Sequence, residues 1–254
     1  MRKRIKGLCL LLAVSAMLAG CAASSKNGTL RVGVRDDIMG FGYLNPATEE
    51  YYGLEIDLAK ELADDLGYTA VEFVTVTPDD RKDMLLEGKV DCLIASYSIE
   101  ESRLKNFDFS PAYFSDHTSI MVEQSSLIDS IDDLVGKKIG VLEGANTAPK
   151  LSSRMIELGL ISEQDLKGSS LEYRDTYDGL SVALEEGTVD AVCMDGGVAR
   201  AHMKEDRKIL DDVVGTENYG VATQKDSALS GPVAASIQKM LDDGTIAALI
   251  DKWD

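Results

Sequence analysis

The chain has 254 residues, 26 basic and 44 acidic, with a formal charge of −18 and 44% apolar content. That apolar share suits a chain folded around a core, and the length allows one large domain or two of roughly 100–120 residues. The acidic excess stands against nucleic acid, whose affinity rests on Lys and Arg neutralising phosphates. It also stands against adsorption to an anionic membrane by charge alone.

Residues 1–20 read as an export signal. Arg2, Lys3, Arg4 and Lys6 precede an apolar run of twelve, Gly7 to Leu18. That run is too short to span a bilayer, which takes about 20 residues. Leu18-Ala19-Gly20-Cys21 resembles the lipobox of bacterial lipoproteins, in which the Cys (here Cys21) is lipidated and becomes the mature N-terminus. The alternative is an ordinary signal whose small residues happen to precede a Cys. Residues 21–28 read as a tether. Losing the signal removes four basic residues, so 22 basic groups face 44 acidic ones and the charge becomes about −22. Cys92 and Cys193 each sit in an apolar run and are expected as buried free thiols. No Cys or His spacing suggests zinc, so no metal or cofactor is expected.

Leu30–Val34 is a short β-branched run, and Ile139–Leu142 looks like the same strand about a hundred residues later. Leu54–Leu66 carries apolar residues at 54, 58, 62 and 66, a helix stopped by Gly67. Val71–Val76 alternates as a strand. Thr77-Pro78-Asp79-Asp80 predicts a helix start with Thr77 as N-cap and Pro78 in the first position. Glu87–Ser96 (EGKVDCLIAS) matches Glu186–Asp195 (EGTVDAVCMD), each running from a Gly-capped helix into a strand. Ser98-Ile99-Glu100-Glu101 reads as a capping box. Ser130 opens a short helix, Asp175 caps another, and two helices close the chain near Ile237–Leu241 and Ile246–Trp253. Two similar α/β halves with alternating strands and helices predict mostly parallel sheets. Ser119–Glu123 and Tyr219–Thr223 lack helix partners and are expected as hinge strands. The expected lobes are residues 29–119 with 224–254, and 120–223 with the hinge strands.

GLEIDLAKELADDLG (Gly53–Gly67), LLEGKVDCLIASYSIEESR (Leu85–Arg103), FDFSPAYF (Phe107–Phe114), KKIGVLEGANT (Lys137–Thr147) and VDAVCMD (Val189–Asp195) together resemble the polar-amino-acid binding proteins of bacterial ABC importers. YGVATQKD (Tyr219–Asp226) and DGTIAALIDKW (Asp243–Trp253) extend the resemblance over nearly the whole mature chain. The resemblance implies the two-lobed α/β fold of type II periplasmic binding proteins, with one ligand held between the lobes. It implies an exported, monomeric partner of permease subunits, held to the membrane only by its lipid. That means the outer face of the cell membrane, a Gram-positive surface being favoured by Ala22 after Cys21, or a periplasm.

An amino acid is a zwitterion, so a buried site must supply a cation and an anion. Open α/β sheets bind ligands at the carboxyl ends of their strands, which points to Ser96 and Asp195 at the ends of the repeated strands. Arg103 stands where the family carries its α-carboxylate arginine, and a guanidinium grips a carboxylate through two parallel hydrogen bonds. On residues alone, Arg103 could equally pair with Glu100 or Glu101. Ser98 caps a helix or meets ligand, Asp195 accepts the α-ammonium or caps the next helix, and Asn146 with Thr147 opens a helix whose N–H groups face the carboxylate. Arg35 replaces a frequent Asp, with Asp36 and Asp37 beside it to balance its charge. With Arg81 and Tyr177, it resembles the branch that binds glutamate, aspartate or glutamine. Phe41 or Tyr43 packs on the ligand stem, or merely packs a loop. Two alternatives remain: a dehydratase-like lyase on the same scaffold, for which His117 and His202 make a thin toolkit, and a receptor sensor acting through a separate partner.

Overall fold

The computed structural model describes residues 28–162 and 170–253. The expected export signal, Cys21 and the expected tether up to Asn27 lie outside the described residues.

Strand β1 (Thr29–Val34) leads into a small antiparallel meander of β2 (Asp37–Ile38), β3 (Gly42–Asn45) and β4 (Glu50–Tyr52). Helix α1 (Leu54–Asp65), β5 (Ala70–Thr75), α2 (Arg81–Leu86) and β6 (Cys92–Leu93) follow. Strands β7 (Phe107–Phe109) and β8 (Phe114–Glu123) carry the chain across to β9 (Lys138–Leu142), α3 (Thr147–Glu157) and β10 (Ser170–Arg174). Then come α4 (Tyr177–Glu185), β11 (Ala191–Asp195), α5 (Gly196–Ala201), β12 (Arg207–Ile209) and β13 (Gly215–Tyr219). The chain returns through β14 (Ala222–Gln224) to α6 (Ser230–Asp242) and α7 (Thr245–Trp253).

Two sheets organise these elements, in the orders β5-β1-β6-β14-β7 and β10-β9-β11-β8-β12, with β13 also paired to β8. In each, the consecutive βαβ units form a parallel core, while the strands next to the crossings are antiparallel. Helix α1 buries Leu54, Leu58 and Leu62 along one stripe, with Ile56, Ala59 and Ala63 beside it.

The sequence repeat is a structural repeat. Asp91 and Asp190 each accept a backbone N–H at 2.8 Å from the start of the neighbouring strand, from Arg31 and Lys138 respectively. Gly33 pairs with Leu93, and Gly140 with Val192. A β-carbon on Gly33 would lie 2.6 Å from Leu93 Cδ2, and one on Gly140 would lie 2.9 Å from Leu180 Cδ2. Both glycines let a large side chain settle on the sheet.

Several local expectations shift. Thr77 and Asp80 bond each other's backbone N–H, but the regular helix begins at Arg81. Thr176, not Asp175, caps α4, because its hydroxyl accepts from Gly179 N at 3.0 Å. Ser98 caps no helix: residues 101–106 form turns, and Ser98 bridges Tyr219 instead. Ser119–Glu123 is the second half of β8, paired inside the second sheet with β11 and β12. The crossing segments run side by side, where Ser110 N donates to Val221 O and Tyr113 N to Tyr219 O, each at 2.9 Å.

A Gly33→Ala substitution is expected to destabilise the protein by about 1–3 kcal/mol through overpacking. Urea unfolding measures it, and an unchanged midpoint would contradict the packing described.

Candidate functional site

The carboxyl ends of β1, β6, β9 and β11 converge where the two lobes meet. From the first lobe come Arg35 after β1, Arg81 at the start of α2, and the turn Ala95–Ser98 after β6 with Arg103 beyond it. From the second come Asn146 and Thr147 at the start of α3, Tyr177 at the start of α4, and Asp195 at the end of β11.

The three arginines are crowded. Tyr97 carries two of them on its ring, with the Cζ atoms of Arg81 and Arg103 at 4.5 and 4.1 Å from its centroid. Arg81 Nη1 donates to Ala95 O and Arg103 Nη1 to Ser98 O, both at 2.8 Å. Carbonyls and a ring supply acceptors but no counter-charge. Among the described residues, no carboxylate lies within 4.0 Å of Arg81 or Arg103. Arg103 therefore pairs with neither Glu100 nor Glu101. Burial, then the like charges of Arg103 and Arg35, push the Arg81 guanidinium down to about 10. Burial also lowers Arg103, against the pull of Glu100, Glu217 and Asp195. Arg35 is different: its Nη2 meets Asp37 Oδ2 at 2.7 Å.

Tyr177 links this cluster to the opposite lobe. Its ring lies 5.6 Å below the Arg35 Cζ, and its hydroxyl donates to Asp195 Oδ2 at 3.2 Å. Burial raises Asp195 to about 6, helped by the charges of Glu217 and Asp116 and opposed by hydrogen bonds from Tyr219 and Tyr177. Ionising Asp195 thus costs the unliganded fold stability as pH rises from its ordinary value of 3.8 to about 6. Four buried polar atoms around this place have no protein partner: Arg35 Nε, Asp37 Oδ1, Arg81 Nε and Thr147 Oγ1. They come from both lobes. Thr147 begins an eleven-residue helix whose first N–H groups are free of helical bonds. Phe41 sits beside the site with its ring 4.9 Å from Phe114 and 6.1 Å from Tyr219, edge-on to both.

Three other expected side chains are committed within the protein. The Ser96 hydroxyl donates to Glu55 Oε1 at 3.0 Å. The Ser98 hydroxyl donates to Glu217 Oε2 at 2.5 Å. Asn146 Nδ2 donates to Glu100 Oε1 at 3.0 Å and Glu217 Oε2 at 3.1 Å. Lys150 Nζ completes that group, 2.8 Å from Glu100 Oε1 and 2.9 Å from Glu217 Oε1. Glu100 belongs to the first lobe, Asn146, Lys150 and Glu217 to the second, so the group clasps the lobes together. Burial alone would raise Glu217, but Ser98, Lys150 and Asn146 hold it below the usual carboxylate range. Beside the clasp, Arg103 and Lys150 line a cavity of about 410 Å³. Gly144 touches the other lobe directly: a β-carbon there would lie 2.8 Å from Asp79 N. Sequence reasoning missed Tyr97, Lys150 and Glu217. Tyr97 sits between two serines already singled out, and Lys150 lies one turn past Asn146. Nothing local marks Glu217.

Among the described residues, no group of three His, Cys, Asp or Glu is placed to hold a metal ion, and no helix is long and apolar enough to cross a membrane.

Residues 30–254 match the family model described as bacterial extracellular solute-binding proteins, family 3. The chain is 31% identical over 238 residues to the ABC transporter glutamine-binding protein GlnH of Bacillus subtilis (strain 168), covering 91% of this chain and 83% of that one. It is 27% identical over 248 residues to the glutamate-binding protein GluB of Corynebacterium glutamicum, covering 91% and 80%. Among solved structures, an ancestral arginine-binding protein bound to arginine superposes with a TM-score of 0.79 at 33% identity, covering 89% of this chain and 98% of that one. With the family model matched over residues 30–254 and the architecture shared, the chain belongs to family 3 of the bacterial extracellular solute-binding proteins and has their type II two-lobed fold.

Proposed function

We propose that this protein is the amino-acid-binding lipoprotein of an ABC importer, closing over an acidic amino acid or its amide: glutamate, aspartate or glutamine. The observation that carries the reading is a pair of guanidiniums, Arg81 buried and Arg103 half-buried, with no carboxylate within 4.0 Å among the described residues, while the charge of Asp195 acts on Arg103. Buried like charges repel, and an anionic ligand relieves them. In this reading Arg103, Thr147 and the start of α3 hold the α-carboxylate, and Asp195 takes the α-ammonium. Arg81 takes the end of the ligand side chain, assisted by Arg35, whose charge Asp37 partly offsets. Phe41 packs against the ligand stem. Ser96, Ser98 and Asn146 shape the walls from behind. The glutamine- and glutamate-binding relatives support this choice of ligand class.

The lobes are proposed to follow the two sheets, swinging about the paired crossings near Ser110–Tyr113 and Tyr219–Val221. Contacts made by the ligand to both lobes favour the closed arrangement. Cys21 is proposed as the lipid anchor holding the exported monomer beside its permease. Catalysis on the scaffold has little support. Burial pushes the Cys92 thiol up to about 12 and raises Cys193 further, so neither offers a thiolate.

Calorimetry across the twenty amino acids is expected to give micromolar or tighter binding for at least one of glutamate, aspartate and glutamine; silence across all twenty would overturn the reading. Arg103→Ala should abolish binding of every amino acid, whereas Arg81→Ala should mainly change the preference among the three. An unchanged glutamate-to-glutamine ratio in Arg81→Ala would refute its assignment to the side chain. Because Asp195 must be ionised to accept an ammonium, affinity should strengthen as pH rises through 6. Binding at pH 5 should be about tenfold weaker than at pH 7, and a flat profile would count against Asp195. Cys21→Ala should release the protein from the membrane fraction; an unchanged membrane fraction would contradict lipidation.

A further inference from the structure

Glu55 is the second residue of α1 and is fully buried, yet nothing above gives it a role. Its Oε1 atom accepts three hydrogen bonds: from Ser96 N at 2.6 Å, from the Ser96 hydroxyl at 3.0 Å and from the Tyr113 hydroxyl at 2.6 Å. Its Oε2 has no protein partner. Burying a carboxyl is costly, so a position that keeps one needs a compensating geometry. Burial does raise the Glu55 carboxyl, and the bonds from Tyr113 and Ser96 oppose that rise.

The three donors are not equivalent in place. Ser96 has a φ of 46°, a left-handed conformation that a non-glycine residue adopts only when its surroundings enforce it. Its neighbours hold both unpaired arginines, Arg81 through Ala95 O and Arg103 through Ser98 O, with the Tyr97 ring against each. Tyr113 lies on the outgoing crossing, bonded to Tyr219 on the returning one. One carboxyl oxygen therefore joins a first-lobe helix, the turn that aims two guanidiniums, and the segment about which the lobes are proposed to swing.

We propose that Glu55 is a positioning residue for ligand capture: it fixes the Ala95–Ser98 turn so that Arg81 and Arg103 are held at the spacing the ligand requires. The proposal rests on the functional reading above and deepens it. Glu55 touches no ligand and acts only through the turn. Since Oε1 alone accepts all three bonds, a carboxamide can replace the carboxyl while a methyl cannot.

The test is calorimetry of L-glutamate, L-aspartate and L-glutamine on folded wild-type protein and on Glu55→Ala, Glu55→Gln and Tyr113→Phe, each below its melting temperature. Glu55→Ala should weaken whichever of the three bind by about tenfold or more, Glu55→Gln should recover to within about threefold of wild type, and Tyr113→Phe should fall between. In an Arg81→Ala background, adding Glu55→Ala should cost less than in wild type, because residues acting through one another are not additive. A purely structural Glu55 would shift melting and leave the affinity of the folded molecules unchanged. If wild type binds and Glu55→Ala binds within about twofold of it, or if the two substitutions add fully, this inference is overturned while the functional reading stands. If Glu55→Ala does not fold, Tyr113→Phe decides, and unchanged affinity there overturns the inference. Wild-type protein that bound none of the three would overturn both.

Discussion

Two adjoining guanidiniums without a carboxylate partner among the described residues, Arg81 buried and Arg103 half-buried, are the constraint on which the rest of the site depends. Arg81 and Arg103 share one tyrosine ring and bond only to carbonyl oxygens. The protein solvates their N–H groups while leaving their charge unbalanced, and Arg35 close by adds to the repulsion. Such an arrangement costs folding free energy that a tightly packed apolar cluster would not. It persists because the surrounding turn and helices over-determine it. On the far side, Asp195 carries the opposite problem, a buried acid crowded by Glu217 and Asp116. A zwitterion relieves both strains at once, which a neutral solute does not.

The fold makes the two halves of that arrangement separable. Each sheet presents the end of a repeated strand to the same place, and each repeat uses the same helix–Gly–Val–Asp passage to set that strand. The basic half of the site stays with the first sheet and the acidic half with the second. Their meeting is fixed by contacts that involve no ligand: the Glu100–Lys150–Glu217 clasp, Asn146 within it, and the backbone approach of Gly144 to Asp79. In the proposed reading this would couple capture to closure, because Asn146 and Lys150, beside the charged groups, also join the lobes.

Much of this was legible in the sequence where chemistry and local pattern coincide. The amphipathic stripe of α1, the doubled strand and the positions of Arg81, Arg103, Tyr177 and Asp195 all follow from spacing and resemblance. Where the observed bonds depart from the local pattern, the departures share a physical cause. Ser98 satisfies the local rule for a capping box, yet its backbone bridges Tyr219 and its hydroxyl reaches Glu217, 119 residues away. Ser96 has the right residue type at a strand end, but a fully buried Glu55 claims its hydroxyl. Asn146 opens its helix as expected while its amide is drawn to two carboxylates. A side chain's local propensity is readable from its neighbours in sequence; which of several acceptors wins it depends on partners the fold brings from elsewhere. Glu217 carries no local signature at all, because a lone acid in an exposed-looking strand becomes buried only when Ser98, Asn146 and Lys150 close around it.

The most direct measurement is a crystal structure of the protein with L-glutamate, L-aspartate or L-glutamine bound. The ligand's α-carboxylate should lie within hydrogen-bonding distance of the Arg103 guanidinium, with its ammonium on Asp195 and its side chain turned toward Arg81. A bound amino acid that left Arg103 and Asp195 on opposite sides of separate spaces, neither touching it, would contradict the electrostatic basis of the site.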